Sequence, residues 1–321
     1  MTTAAPARHW AQINEVTFVA GIKFLFLVFR LFGRLLFVPM LAVGVLFYFL
    51  AYPRARAASR DYLRRLHRDM GLPERAVTSW MVYRHFIAFG DSILDKLRVW
   101  SSAAGGDVAV QWHDAHLITD AIAHGHGGLV IISHLGNIEM GRGMSHTRPG
   151  LKRTVLVHTK HAEAFNRLLG EINPESAANL VQVSEMTPAT AIVLSEKVAA
   201  GEFLAIAGDR VPVSPTPRVA YSQFLGGRAA FPVGPYVLGS LLQCRVYLAF
   251  CIHQVDGYHV YYELFRDQIK LPRRDRDAAF TELAGAYAAR LAHYCRLAPL
   301  QWFNFYDFWA EPQAAWVDGP R

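Results

Sequence analysis

The 321-residue sequence has few cysteines, few charges and no internal repeats, and each shortage excludes a class of protein. Its three cysteines are odd in number and lack metal-ligand spacing, which argues against a disulfide scaffold or a zinc module. No low-complexity tract is present, and 52% apolar residues predict an ordered core. We therefore expect a globular protein whose Cys244, Cys251 and Cys295 are reduced core thiols.

The net charge of +7 comes from the first 70 residues, which hold ten Lys and Arg against three acidic residues. The rest of the chain is neutral, with 23 basic and 23 acidic residues. A nucleic-acid-binding protein carries its basic face on the folded domain, so this distribution argues against a nucleic-acid partner. Basic residues beside a hydrophobic segment instead favour an anionic membrane surface.

The most hydrophobic segment, residues 35–52, is uncharged for 18 residues. As a helix it would be about 27 Å long, close to the thickness of a bilayer's hydrocarbon core, and too long for a cleaved signal peptide. We predict a membrane anchor over residues 1–53, which either spans the membrane or dips into it, and an α/β domain over residues 54–321. Arginines crowd after the segment, which predicts that the domain faces the cytoplasm at the inner membrane.

Residues 54–100 show helical periodicity, and apolar strands then alternate with helices. The predicted strands are residues 108–112, 129–133, 154–158, 180–183, 203–207, 246–252 and 259–265. The predicted helices are residues 115–124, 138–146, 162–172, 188–200, 235–243 and 277–296. This alternation predicts an α/β fold with a single mostly parallel sheet flanked by helices, and Asp256 with Gly257 predicts a hairpin turn. Chemistry in such sheets gathers beyond the carboxyl ends of the strands, where His134 and Asp209 lie.

The stretch "LVIISHLGNIEMGRG", residues 129–143, ends a strand at His134 and places Glu139 five residues later. On a continuous helix the two side chains would lie about 140° apart, so a turn must intervene, and Gly136 with Asn137 supplies one. A carboxylate on one imidazole nitrogen fixes the tautomer and leaves the other nitrogen to remove a proton. The pattern predicts His134 as general base supported by Glu139, with backbone N–H groups at Gly136 and Asn137 stabilising an oxyanion.

A second polar pair follows the predicted strand 203–207. A buried Asp209 beside Arg210 would be paired and held ionised. Arg210 or Arg228 offers a bidentate guanidinium to a phosphopantetheine or to an acceptor phosphate. Both arginines are therefore candidate substrate-binding residues.

Several segments resemble the lysophospholipid acyltransferase superfamily, and most closely its branch of late lipid A acyltransferases. They are "HLGNIE", "RARAASRDYLRRL", "HTKHAEAFNRLLGEINP", "AGDR", "FLGGRAAFPVGP" and "WFNFYDFW". The resemblance implies a glycerolipid acyltransferase-like α/β enzyme that moves a fatty acyl chain from acyl carrier protein or coenzyme A. The implied acceptor is a hydroxyl or amine of a membrane lipid or glycolipid, and no metal or organic cofactor is implied.

By position, the resemblance assigns the general base to His134 and the supporting acid to Glu139, and it places Asp209 and Arg210 in the strand-end motif that lines the reaction centre. The other positions that match family segments are Asn166, Arg167, Phe231 and Pro232, of which the last two match a loop that shapes the thioester pocket. The phosphate-binding "EGTR" type of loop is absent around Asp209, which argues against a glycerol-phosphate acceptor.

A membrane-anchored esterase is the main alternative. The block "FGDSILD", residues 89–95, resembles the nucleophile block of GDSL-type lipases. Asp256 and His259, separated by two residues, match the Asp and His that those enzymes carry near the end of the chain. Against it, Ser92 falls within helical periodicity, and Asp256 belongs to a predicted turn. A non-catalytic membrane scaffold would leave His134, Glu139 and Asp209 without a role.

The aromatic segment "PLQWFNFYDFW", residues 299–309, has Asn304 and Asp307 as polar members besides Gln301. Such a segment caps a core, borders an acyl tunnel or lies at a lipid interface, and a core cap is the commonest of these.

Overall fold

The computed structural model describes residues 31, 33, 37–101, 109–138, 140, 152–157, 179–182, 188–212 and 216–311. The helices are α1 (Phe37–Ala51), α2 (Pro53–Asp69), α3 (Ser79–Ser101), α4 (His116–Ala123), α5 (Pro188–Ala199), α6 (Gly234–Leu242) and α7 (Arg276–Leu297), with a 3₁₀ turn at Glu74–Ala76. The strands are β1 (Val110–His113), β2 (Gly128–Ile132), β3 (Arg153–Val157), β4 (Asn179–Gln182), β5 (Phe203–Ala207), β6 (Val219–Phe224), β7 (Gly227–Pro232), β8 (Val246–Gln254) and β9 (Gly257–Arg266).

Seven strands form one mixed sheet in the order β1-β9-β8-β2-β5-β3-β4. The five strands from β8 to β4 run parallel, while β9 returns antiparallel to β8 and β1 runs parallel to β9. The central strands are short apolar runs that are buried along most of their length, which is typical of a sheet covered on both faces. The predicted mostly parallel α/β sheet and the turn at Asp256 and Gly257 are confirmed.

A second sheet was missed by the sequence analysis. Strands β6 and β7 form a two-stranded hairpin whose turn residues, Leu225 and Gly226, both have positive φ. The hairpin packs on α7, where Gly285 leaves room for Ser222: a Cβ at position 285 would lie 3.2 Å from the Ser222 hydroxyl. The first turn position is Leu225 in place of the usual Asn, Asp or Gly, so the hairpin was not predicted.

Helix α1 packs along one face only. The Phe49 ring lies edge-on to Tyr83 and Phe86 of α3, with ring centroids 5.4 and 5.5 Å apart. On the opposite face, Phe47 and Val43 are 71% and 69% exposed. In the part of the chain that the structure describes, no single helix is long and apolar enough to cross a membrane, whereas α1 and α2 together, bent by 94°, meet that length and composition.

The C-terminal aromatic segment packs over α2 and α3 and closes the core, which confirms the predicted core cap. Trp302 is fully buried, and its backbone carbonyl accepts the Nε2–H of His85 at 3.0 Å. The Ser59 hydroxyl donates to the other His85 nitrogen at 2.8 Å. With both nitrogens engaged, burial lowers the pKa of His85 from 6.5 to about 4.

We expect this histidine to make the fold sensitive to acid. Between pH 6.5 and 4 His85 is protonated in the unfolded chain but not in the folded one. The free energy of unfolding therefore falls as the pH falls, by about 3 kcal/mol once the pH is below 4. His85→Gln removes that proton uptake and should flatten the decline of the unfolding midpoint over this range. The exposed His116→Gln serves as control and should keep the wild-type slope. An unchanged slope in His85→Gln would contradict the assignment.

Candidate active site

His134 and Asp209 follow two neighbouring parallel strands at the same edge of the sheet. Strand β2 ends at Ile132, which is in register with Ala207, the last residue of β5. His134 and Asp209 each lie two residues beyond those ends. The carboxyl-end position predicted for both side chains is confirmed, and the register brings them into contact.

Asp209 holds His134 through two hydrogen bonds. The Nδ1–H of His134 donates to Asp209 Oδ1 at 2.7 Å, and the backbone N–H of His134 donates to Asp209 Oδ2 at 2.8 Å. We assign the proton to Nδ1 because an ionised carboxylate only accepts. The Asp209 side chain is fully buried, whereas a third of the His134 side chain is exposed. The imidazole is therefore fixed on one side and open on the other.

The C-terminal segment completes the environment of Asp209. Trp302 Nε1–H donates to Asp209 Oδ2 at 3.0 Å, and Asn304 Nδ2–H lies 3.5 Å from the same oxygen. The guanidinium of Arg210 donates to Asn304 Oδ1 at 2.8 Å and to the Phe303 carbonyl at 2.9 Å. Asn304 stands out in the sequence as a polar residue within an aromatic run, whereas the contact of Trp302 with Asp209 was not predicted. An indole, whose N–H needs a partner when buried, is the signal that was available.

The electrostatics favour a neutral imidazole beside an ionised carboxylate. Burial lowers the pKa of His134 below 6.5, the positive charges of Arg210 and Lys96 lower it further, and Asp209 opposes them. Burial alone would raise the pKa of Asp209, but His134 and Arg210 outweigh it, so this pKa is lowered. At neutral pH the pair is therefore suited to accept a proton on Nε2.

The loop after His134 is held by two backbone hydrogen bonds, one to the C-terminal segment and one to strand β8. Gly136 has φ +64°, and its N–H donates to the Gln301 carbonyl at 2.7 Å. The N–H of Asn137 donates to the Cys251 carbonyl at 2.9 Å. The turn predicted at these two residues is thus formed. Their N–H groups are already donated within the protein, however, so the expectation that they stabilise an oxyanion is wrong in this arrangement.

The remaining predicted site residues lie elsewhere or outside the described residues. Arg228 is 62% exposed on β7, stacked over Tyr221 and paired with Glu311 at 3.2 Å. Phe231 and Pro232 belong to strand β7 rather than to the expected loop, and Phe231 is fully buried. The positions that lie outside the described residues are Glu139, Asn166 and Arg167.

The residues of the esterase alternative are engaged with other groups. Ser92 lies within α3, and its hydroxyl donates to the Phe89 carbonyl at 2.7 Å. Both ring nitrogens of His259 are used, by Asp256 at 2.9 Å and by His113 at 2.9 Å. Nothing in this geometry favours a Ser-His-Asp triad.

The fold is an α/β fold with a paired histidine and aspartate, His134 and Asp209, at the carboxyl edge of its sheet. Comparison with protein families identifies its kind: residues 14–311 match the bacterial lipid A biosynthesis acyltransferase family, and the chain belongs to it. The resemblance stated from the sequence is confirmed. The protein is therefore an acyltransferase, in a family that transfers an acyl group from a donor to a lipid acceptor. No curated protein matches the chain.

The close approach at Gly136 is directly testable. A Cβ there would lie 1.8 Å from the Cys251 carbonyl oxygen, so Gly136→Ala must displace the loop that follows His134. We expect a loss of about 2–4 kcal/mol in the free energy of unfolding together with loss of acyl transfer. Gly226→Ala is the matched control, because Gly226 has φ +73° but open space around it, and it should cost only about 1 kcal/mol. Equal losses in urea unfolding would show that the contact with Cys251 is unimportant.

Proposed function

We propose that this protein moves a fatty acyl chain from a thioester, carried by acyl carrier protein or coenzyme A, to a hydroxyl or amine of a membrane lipid or glycolipid. The observation that carries the proposal is the His134 imidazole, fixed through Nδ1 by a buried carboxylate and partly exposed at the sheet edge. Among the described residues, Nε2 has no hydrogen-bond partner. It is therefore the atom that meets the acceptor.

In the proposed reaction, Nε2 of His134 takes the proton of the acceptor hydroxyl or amine as that atom attacks the thioester carbonyl. The ionised Asp209 stabilises the imidazolium that forms. The tetrahedral intermediate then expels the thiolate, which receives the proton from His134, so that an ester or amide and a free thiol result. The positive charges of Arg210 and Lys96 lie near enough to His134 to influence its pKa, and they favour the developing oxyanion.

Three further roles belong to the same proposal. Glu139 is a candidate supporting acid on the strength of the sequence motif, in addition to Asp209, which holds Nδ1 of His134. Arg228, exposed on the β6–β7 hairpin, is a better candidate for the phosphopantetheine than Arg210, whose guanidinium is bound to the C-terminal segment. Asn166 and Arg167 remain candidate substrate-binding residues, as do Phe231 and Pro232 at the end of β7.

We further propose that the protein works at the cytoplasmic face of the inner membrane, with residues 1–53 as its anchor. The exposed apolar face of α1 supports contact with lipid, and Arg54 and Arg64 are exposed on the helix that follows. Arginines next to an apolar face are attracted to anionic lipid head groups.

Transfer of labelled acyl groups from acyl carrier protein to extracted membrane lipid tests the proposal. We expect His134→Ala and Asp209→Asn to lose about 10²- to 10⁴-fold in rate, because each removes the base or its correct tautomer. Glu139→Gln should also lose activity. Ser92→Ala is the control and should retain most of it.

Thermal unfolding of each variant must show that the fold persists. A His134→Ala protein that transfers at the wild-type rate would overturn the proposal, and selective loss in Ser92→Ala would favour the esterase instead.

A further inference from the structure

The indole of Trp302 is fixed in the core by the aromatic rings around it. Trp302 is fully buried, and the rings of Tyr62, Phe224 and Phe308 have their centroids 5.0, 5.2 and 4.7 Å from its own. Tyr62 belongs to α2 and Phe224 to the β6–β7 hairpin, so separate parts of the fold pack on one side chain. An indole packed in this way cannot turn without displacing its neighbours, and the direction of its N–H is therefore set by the packing.

The backbone on both sides of Trp302 is joined to the loop that carries His134. The N–H of Phe303 donates to the His134 carbonyl at 3.0 Å, and the N–H of Gly136 donates to the Gln301 carbonyl at 2.7 Å. The segment of the indole and the loop of the proposed base are therefore held at a fixed separation.

The N–H of this indole is donated to a charged acceptor. Trp302 Nε1 lies 3.0 Å from Asp209 Oδ2, the oxygen that also accepts the backbone N–H of His134 at 2.8 Å. The other oxygen, Oδ1, accepts the Nδ1–H of His134 at 2.7 Å. Two donors on one oxygen keep the carboxylate from rotating, and hydrogen bonds to a charged group are the stronger kind. Any aromatic ring at position 302 could fill the core, whereas the bond to Asp209 requires the indole nitrogen.

From these contacts we infer that Trp302 is a positioning residue for the acyl transfer. Its N–H holds Asp209 in the orientation that turns Nε2 of His134 toward the acceptor, and it shares the negative charge of the carboxylate, which otherwise acts on the imidazole alone. The inference rests on the proposed function, because it takes His134 as the base. It gives the C-terminal segment a second role besides capping the core, which is to set the proton affinity of that base.

Trp302→Phe, assayed as the full-length protein in detergent micelles, removes the N–H and keeps an aromatic ring. We expect kcat for transfer from acyl carrier protein to extracted membrane lipid to fall about tenfold, because the base is less well oriented. The KM for acyl carrier protein should stay within about twofold of the wild-type value. The acid limb of the pH profile of kcat/KM should move to higher pH, because a carboxylate with one donor fewer stabilises the imidazolium more strongly.

Trp309→Phe is the matched control from the same segment. The Nε1–H of Trp309 donates to the Phe224 carbonyl at 3.1 Å, and its ring stacks on that of Phe224. This substitution therefore also removes an indole N–H and part of the aromatic packing, but it leaves Asp209 untouched. We expect it to lower the unfolding temperature without moving the acid limb.

A second replacement at position 302 separates the lost donor from the lost volume. β-(3-Benzothienyl)alanine has the shape of tryptophan but carries sulfur in place of the N–H. With this residue at position 302, the acid limb should move as it does in Trp302→Phe, while the unfolding temperature should stay closer to the wild-type value.

A wild-type rate and acid limb with β-(3-benzothienyl)alanine at position 302 would overturn the inference, and so would an equal movement of the limb in Trp309→Phe. A loss of rate without movement of the limb would indicate a purely structural role and would overturn it as well. His134→Ala, assayed alongside, reports separately on the proposed function. If His134→Ala loses transfer while both position-302 variants match the wild type, only the role of Trp302 fails.

Discussion

A fully buried carboxylate, Asp209, is the constraint on which the site depends. An isolated buried charge is costly, and it is tolerated only when its oxygens are well satisfied. Here the donors come from two separate parts of the chain: His134 after β2, and the Trp302 indole and Asn304 amide of the C-terminal segment. Satisfying Asp209 therefore fixes two strand ends and the C-terminal segment relative to one another, and the same bonds orient the imidazole.

Much of the fold follows from local pattern, because apolar runs and helical periodicity are properties of short stretches. Strand β5 was predicted at both ends, and the parallel arrangement placed His134 and Asp209 at one edge. Sequence spacing favoured Glu139 as the partner of His134, since it is close in the chain. The contact with Asp209, 75 residues away, is set by strand register, which spacing does not reveal. The β6–β7 hairpin was missed because its turn uses Leu225 and Gly226.

Charge is distributed unevenly around the proposed base. Arg210 and Lys96 depress the pKa of His134, which keeps a neutral imidazole at neutral pH. An acyl transfer brings together an electrophile on which negative charge develops and a nucleophile that must lose a proton. The neutral imidazole of His134 suits the nucleophile, and the nearby positive charges of Arg210 and Lys96 suit the electrophile.

The central claim is that His134 is neutral at pH 7, with its proton on Nδ1 shared with Asp209 and a lone pair on Nε2. Nitrogen-15 NMR of protein labelled in histidine, with His134→Gln to assign the signal, measures this directly. The account predicts a protonated Nδ1 coupled to an unprotonated Nε2, and a titration midpoint below 6.5. A proton on Nε2, or an imidazolium at pH 7, would contradict it.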